Sequence, residues 1–266
     1  MKPCYLKGPD PPTDIVPVTL HFHGWLTTLV KRGRRSNDPL TPLLNRRTSI
    51  KDLIGSFGLP HTEVGSIQIN RQAVTFDQII AKKSFVEIFP PCPPVNVLAP
   101  SLLRPTALPA IRFLVDANVG KPAGKLRMTG FDTLYNPQWY DAELTDLSEE
   151  RQCILLSIDI MLLKRKKITF GHFVRETLPT KQLAEVIYFY GLADKILSFS
   201  RCMRCNGTLV PVAKQEILDQ IEPLTRKYYH SFSRCSSCTH IYWFGSHRAP
   251  MEKDIKELRN YCPLPF

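Results

Sequence analysis

The chain has 266 residues, of which 43% are hydrophobic and 22% are charged, and this composition excludes wholesale disorder. It contains no apolar run long enough for a transmembrane helix, and its first residues lack the apolar stretch of a signal peptide. We therefore expect a cytoplasmic protein with no membrane partner. Lys and Arg total 35 against 24 Asp and Glu, a net charge of +11 that favours a polyanionic partner without identifying it.

The first block, residues 15–90, reads as a small α+β roll. Apolar residues alternate with polar ones from Val18 to Phe22, which predicts a half-buried strand. Ser49 and Asp52 have the spacing of a helix N-terminal cap, and apolar residues then recur at helical spacing up to Gly58. Two further strands are predicted, at 66–71 and at 85–89.

A proline-rich segment follows this block. Residues 90–109 hold seven prolines and almost no charge, so they cannot continue a helix or a central strand. We predict an extended, semi-rigid linker over residues 91–110.

The middle block, residues 111–197, alternates strand and helix patterns. Strands are predicted at four places and helices at two, the first helix opening with acids at Asp141, and such alternation favours a parallel sheet. The predicted strands are 111–116, 130–135, 153–159 and a short one at 173–174.

Three acids of the middle block form the first candidate site. Asp116 and Asp159 end predicted parallel strands, and Asp141 begins a helix. The carboxyl ends of parallel strands meet at one crevice, and converging carboxylates need a cation to offset their repulsion. Hard oxygen ligands suit magnesium or manganese, which support phosphodiester hydrolysis. The alternative is that these acids only cap helices and turns.

Two Cys-x-x-Cys pairs mark the third block, residues 198–248. Cys202 with Cys205 and Cys235 with Cys238 supply the four thiolates of a closed, structural zinc site. We therefore predict a zinc ribbon over this block, followed by a basic tail at 249–266.

Several basic and aromatic residues are candidates for RNA contact. Four consecutive cations follow Asp159 and suit a phosphate backbone, although a solvated helix end would also carry them. Aromatic residues near the second Cys pair suit base stacking, although they also suit packing of the ribbon core. The candidates are Lys121, Arg127, Lys164, Arg165, Lys166, Lys167, Tyr242, Trp243 and His247.

The motifs of the middle and third blocks resemble the Mut-seven C-terminal RNase family. The resemblance rests on the segments 116–121, 126–132, 141–144, 154–159, 162–165 and 241–247. It implies a PIN-like nuclease whose acids bind divalent ions and hydrolyse RNA, and it carries over Asp116, Asp141 and Asp159, with Glu143 as a fourth acid. The sequence departs from the family at Lys121–Lys125, which holds a proline and a glycine, and at Ile158, where the family has a basic residue.

The first block resembles the ubiquitin-like domain often found ahead of that RNase domain. The resemblance lies in the segments 59–64, 67–70 and 86–90. It implies docking of a protein partner, contact with RNA, or a purely stabilising role, and no terminal Gly-Gly is present for conjugation.

The sequence thus predicts an α/β PIN-like nuclease domain with a parallel sheet, an N-terminal α+β ubiquitin-like roll and a C-terminal zinc ribbon. The predicted function is a metal-dependent ribonuclease, endonucleolytic in action, with structural zinc and catalytic magnesium or manganese. Its RNA is not specified, and tRNA and ribosome-associated RNA are both open. Two alternatives remain, a non-catalytic RNA- or ribosome-binding adaptor and a toxin-like tRNase controlled by a protein partner.

Overall fold

The fold comprises two compact units, seen in a computed structural model that describes residues 16–30, 39–44, 46–80, 83–120, 122–243 and 258. The first unit is Met1–Pro91 with Ser101–Pro105, and the second is Cys92–Pro100 with Thr106–Phe266. Within the described ranges, no helix is long and apolar enough to cross a membrane.

The first unit is built on a mixed five-stranded sheet. Its strand order is β2-β1-β7-β4-β5, in which β1 and β7 run parallel and the other pairs are antiparallel, while β3 and β6 pair separately. A 3-10 turn at His61–Glu63 precedes β4. The strands are β1 (Val16–Phe22), β2 (Leu43–Leu44), β3 (Thr48–Ser49), β4 (Ser66–Ile69), β5 (Gln72–Ala73), β6 (Ile79–Ile80) and β7 (Ser84–Phe89), and the helices are α1 (Leu26–Leu29) and α2 (Ile50–Ser56).

Helix α2 begins and ends where the sequence indicates. The Ser49 hydroxyl accepts the backbone N–H of Asp52 at 3.1 Å and donates to its carboxylate at 2.8 Å, which satisfies one free donor of the first turn. Gly58 stops the helix with φ +89°, a conformation that side chains disfavour. The buried face of α2 includes Leu53 and Ile54, so this face of the helix belongs to the core of the first unit.

The proline-rich segment is partly packed in the protein core. It contains no helix or strand, yet Val97, Leu103 and Leu108 are buried. Residues 92–100 belong to the second unit and residues 101–105 to the first, where Arg104 donates to carbonyl oxygens of residues 61, 62 and 64. Apolar side chains of this segment are thus buried in both units, and its role as a linker over 91–110 stays a prediction.

A four-stranded, wholly parallel sheet forms the centre of the second unit. The strand order is β11-β10-β8-β9. The two central strands are buried on both faces, as parallel strands covered by helices should be. The strands are β8 (Arg112–Val115), β9 (Asp132–Leu134), β10 (Ile154–Ser157) and β11 (Gly171–Phe173), and the helices are α3 (Pro122–Met128), α4 (Asp141–Glu150), α5 (Ile160–Leu163) and α6 (Pro179–Phe189).

The strand order creates a topological switch point between β8 and β10. From β8 the chain adds β9 on one side, and it then returns to add β10 and β11 on the other side. Ligands of open α/β sheets bind outside the carboxyl ends of the strands at such a point. Asp116 follows β8 directly and Ser157 ends β10, so both lie at this edge.

The remainder of the second unit is an antiparallel three-stranded ribbon with its own small core. Ile217, Ile221, Phe232 and Ile241 are buried together. The basic tail lies outside the described residues except for Leu258. The ribbon strands are β12 (Leu209–Val212), β13 (Phe232–Cys235) and β14 (Ile241–Trp243), with helix α7 (Pro223–Tyr228) and 3-10 turns at Lys214–Gln220 and, before the ribbon, at Ala193–Lys195.

Candidate active site and metal centre

Asp116 is the buried acid of the candidate active site, with only 4% of its surface exposed. Its backbone N–H donates to the Leu156 carbonyl at 3.0 Å, which fixes the residue at the mouth between β8 and β10. Its carboxylate accepts the backbone N–H of Asn118 at 3.2 Å and the Asn118 side-chain amide at 3.4 Å. Among the described residues, no Lys, Arg or His forms an ion pair with this carboxylate.

Ser157 joins Asp116 to Asp159. Its buried hydroxyl donates to Asp116 Oδ2 at 2.6 Å and accepts the backbone N–H of Asp159 at 2.9 Å. Strand β10 ends at Ser157, so Asp159 is not the last strand residue that the sequence suggested. It is the N-terminal cap of α5, and its Oδ1 accepts the N–H groups of Met161 at 2.7 Å and Leu162 at 3.4 Å.

Asp141 and Glu143 are engaged elsewhere at the start of α4. Asp141 pairs with the Arg165 guanidinium at 3.1 Å, and both side chains are largely exposed. The Glu143 carboxylate accepts the backbone N–H of Tyr140 at 2.8 Å, which caps the helix. Within the described part of the chain, Asp116, Asp141 and Asp159 do not form a group whose carboxylate oxygens all lie within 4.8 Å of one another. Their joint role as metal ligands stays a prediction.

Two of the four cations that follow Leu163 form ion pairs with acids of α4. Arg165 pairs with Asp141, and Lys167 contacts Asp146 at 2.8 Å and Glu149 at 3.3 Å. These hydrogen bonds raise the pKa of Lys167. Lys166 is exposed, and none of the described acids pairs with it. Lys164, the C-terminal cap of α5, is partly exposed.

The structure gives Arg127 a different role from the predicted RNA contact. Its side chain is 5% exposed and donates to the carbonyl oxygens of Thr133 at 2.9 Å, Met203 at 3.1 Å and Arg204 at 2.8 Å. A guanidinium held in this way cannot also grip a phosphate, so Arg127 fastens the first Cys-x-x-Cys turn to β9. Lys121 lies outside the described residues.

The four ribbon cysteines form a compact sulfur cluster. Cys202 and Cys238 lie with their Sγ atoms 3.7 Å apart, and Cys205 and Cys235 lie 3.4 Å apart. All four Sγ atoms lie within 4.8 Å of one another. A tetrahedral zinc ion with Zn–S bonds of about 2.3 Å has S···S edges of about 3.8 Å, so the cluster fits such an ion.

The surroundings of Cys202 favour its thiolate form. Burial tends to raise the pKa of Cys202. Hydrogen bonds from the Tyr242 hydroxyl, at 3.2 Å, and from the backbone N–H groups of Cys205 and Arg204 outweigh burial and lower this pKa to about 6. Gly207 is required beside the cluster, because a Cβ there would lie 2.8 Å from Cys235 Sγ.

The aromatic candidates differ in what they can reach. Tyr242 is half-buried and directs its hydroxyl at Cys202, so it supports the sulfur cluster rather than offering a stacking face. Trp243 is 42% exposed and keeps an accessible ring. His247 lies outside the described residues.

Two family models match the chain. Residues 111–255 match the Mut7-C RNAse domain, and residues 15–95 match the Mut7-C ubiquitin domain. The chain belongs to the Mut7-C RNAse domain family. No curated protein and no solved structure matches it. The expected family and the order of its two domains are therefore confirmed, and an RNAse domain of this family carries the Asp116 site.

Sequence reasoning missed two residues that organise this Mut7-C RNAse domain. Ser157 joins the Asp116 carboxylate to the backbone of Asp159, and its signal was a hydroxyl two positions before Asp159. Asn206, with φ +71°, accepts the Thr133 N–H at 3.0 Å and donates to Asp132 at 2.7 Å. Asparagine tolerates this backbone conformation, so its place after Cys205 was the available signal.

Proposed function

We propose that the protein is a metal-dependent ribonuclease that hydrolyses RNA phosphodiesters endonucleolytically at the β8–β10 switch point. The observation that carries the proposal is the carboxylate of Asp116, which is 4% exposed and held by neutral donors. A buried anion without a counter-charge is costly, and a bound cation removes that cost.

The donor chemistry of the site fits magnesium or manganese. Asp116, Asp159 and Asp141 would hold the ion, and all three offer hard carboxylate oxygens rather than nitrogen or sulfur. Such an ion supplies a Lewis acid that activates water and stabilises the charge developing on the phosphodiester.

The protein's own residues prepare this site. Ser157 fixes the orientation of the Asp116 carboxylate and, through the Asp159 backbone, ties the start of α5 to it. Arg165 neutralises Asp141 through an exposed pair, and such pairs contribute little and exchange readily. Lys164, Lys166 and the exposed ring of Trp243 are the surface groups that would contact RNA.

Zinc in the four-cysteine cluster would have a structural role. Four thiolates fill a tetrahedral coordination shell and leave no open position for substrate. The ion would close the turn whose carbonyl oxygens accept from Arg127, so it would hold the ribbon against β9.

Cleavage of total RNA and of tRNA by the purified chain tests the proposal, with manganese, magnesium or EDTA present. Asp116→Asn keeps the side-chain shape and removes the charge, so we expect it to abolish cleavage while RNA binding persists. Asp146→Asn is the matched control, because Asp146 is an exposed acid of α4 that pairs with Lys167. Cleavage that survives EDTA or Asp116→Asn would refute the proposed site.

A non-catalytic RNA-binding adaptor is the second candidate. The pairing of Asp141 with Arg165 favours it, because a third metal ligand would have to leave that pair. The same experiment separates the two functions. If the protein is an adaptor, the wild type and Asp116→Asn bind RNA equally and neither cleaves it. A protein partner docking on the ubiquitin-like unit is compatible with either function.

A further inference from the structure

A second cluster of metal-ligand side chains lies on the sheet of the first unit. His21 and His23 are two positions apart at the end of β1, so they share one face of the sheet. Glu87 of β7 lies opposite His21 in the parallel register and shares that face. Phe22, which lies between the two histidines, and Ile88, which follows Glu87, point to the opposite face, where they are buried. The three polar side chains therefore meet on the face away from the core.

The geometry of the cluster suits shared coordination. One ligand atom from each of the three residues lies within 4.8 Å of the other two. His23 Nε2 lies 3.3 Å from Glu87 Oε1, and these side chains are 28% and 20% exposed. The His23 ring stacks on Phe89 at 4.1 Å and 8°, which limits its rotation. The backbone N–H of His23 donates to Ile88 at 2.9 Å, so the chain is fixed beyond the end of β1.

We propose that His21, His23 and Glu87 form a second binding site for a divalent transition metal ion, with zinc as the expected occupant. Imidazole nitrogen suits zinc, nickel and copper, whereas magnesium and calcium select oxygen ligands. Two histidines and one carboxylate leave the fourth tetrahedral position of zinc open to water. The site is thus of a different kind from the closed four-cysteine cluster.

A simple His23–Glu87 ion pair explains the arrangement less well. That pair uses His23 alone, yet the His21 ring centroid lies 4.1 Å from that of His23. A ligand atom of His21 also lies within 4.8 Å of the ligand atoms of both His23 and Glu87. The second histidine therefore points to a ligand set.

Counting the zinc ions bound per full-length chain tests the proposal. After dialysis against zinc and removal of the excess, we expect two ions in the wild type and one in the His21→Gln/His23→Gln double variant. His230→Gln is the matched control, because His230 is an exposed histidine outside the cluster, and it should keep two ions. Cobalt substitution identifies the remaining site, since thiolate ligands give an intense charge-transfer band that the double variant should retain.

A wild type that binds one ion, or a double variant that still binds two, would overturn the proposal. Should the double variant fail to fold, Glu87→Gln serves instead, because it keeps the side-chain shape and removes the anionic ligand. That variant should lose the second ion, and a count of two would again reject the site. The assay uses no RNA, so its outcome is independent of the proposed ribonuclease activity.

Discussion

Replacement of Ser157 by alanine probes the candidate active site at its central hydrogen bond. Ser157 is fully buried, and its hydroxyl donates to Asp116 at 2.6 Å while accepting the Asp159 N–H at 2.9 Å. Ser157→Ala removes both bonds without removing apolar bulk. Asp116 then keeps only the Asn118 donors at 3.2 and 3.4 Å.

The expected loss of stability follows from these two bonds. A hydrogen bond to a charged group contributes roughly 1.5–3 kcal/mol, and an unsatisfied buried N–H costs roughly 1–3 kcal/mol. Because the Asp159 N–H lies near the surface, we expect a total of about 3 kcal/mol. For a unit of this size, that loss lowers Tm by roughly 6–12 °C.

Thermal unfolding of the metal-free chain measures this loss directly. Ser148→Ala is the matched control, because Ser148 is also buried but donates only one long bond of 3.4 Å to a neutral carbonyl. We also expect Ser157→Ala to raise the manganese concentration needed for half-maximal cleavage roughly 10- to 100-fold, the usual effect of losing a partner of a metal ligand. Equal stability losses in the two variants would refute the reasoning.

Three further predictions concern the second unit. Gly124→Ala should raise Tm by roughly 1–4 °C in a melting experiment, because a Cβ in the middle of α3 meets nothing within 4 Å and alanine favours the helix by roughly 0.5–1 kcal/mol. The second prediction concerns Glu185. Burial tends to raise the pKa of this carboxyl, but hydrogen bonds from His172 and nearby backbone N–H groups lower it below 4.5. The Glu185 carboxylate therefore stabilises the fold above about pH 4.5 and ceases to do so as the pH falls through the lowered pKa. The free energy of unfolding in urea should therefore depend less on acid pH in Glu185→Gln than in the wild type. An unchanged dependence on pH would contradict this. Cys235→Ser should lower the Tm of the second unit, and zinc chelation should lower the Tm of the wild type in the same way. Cys92→Ser is the control and should leave Tm unchanged, because Cys92 lies outside the sulfur cluster.

The two central strands of the parallel sheet, β8 and β10, were predictable because each is a short apolar run between turn signals. The prediction of Asp116 at a strand end was sound because β-branched and aromatic residues precede it up to Val115. The strand predicted to end at Asp159 ends two residues earlier, at Ser157, because Ile158 continues the apolar pattern although it lies after the strand and is 46% exposed. Apolar pattern alone does not separate a strand end from the turn that follows it.

The partners of Asp141 and Arg127 were not predictable in the same way. The Asp141–Arg165 pair joins residues 24 positions apart and depends on how α4 packs beside the end of α5. Arg127 did carry a signal, because it follows Ala123 by four positions and so lies on the buried face of α3. Charge suggested a surface role, whereas helical spacing indicated burial, and the structure follows the spacing.

Burial of Arg127 explains why the ribbon and the parallel sheet should respond together to loss of zinc. Burial lowers the pKa of this guanidinium, and the nearby Cys202 and Cys205 sulfurs oppose that shift. Two of its acceptors are carbonyl oxygens of the turn between those cysteines, at 3.1 and 2.8 Å. If the turn opens when zinc leaves, a buried cation loses these acceptors, and an unpaired buried charge costs several kcal/mol. Because the third acceptor belongs to Thr133 of β9, that cost falls on the sheet that carries Asp116.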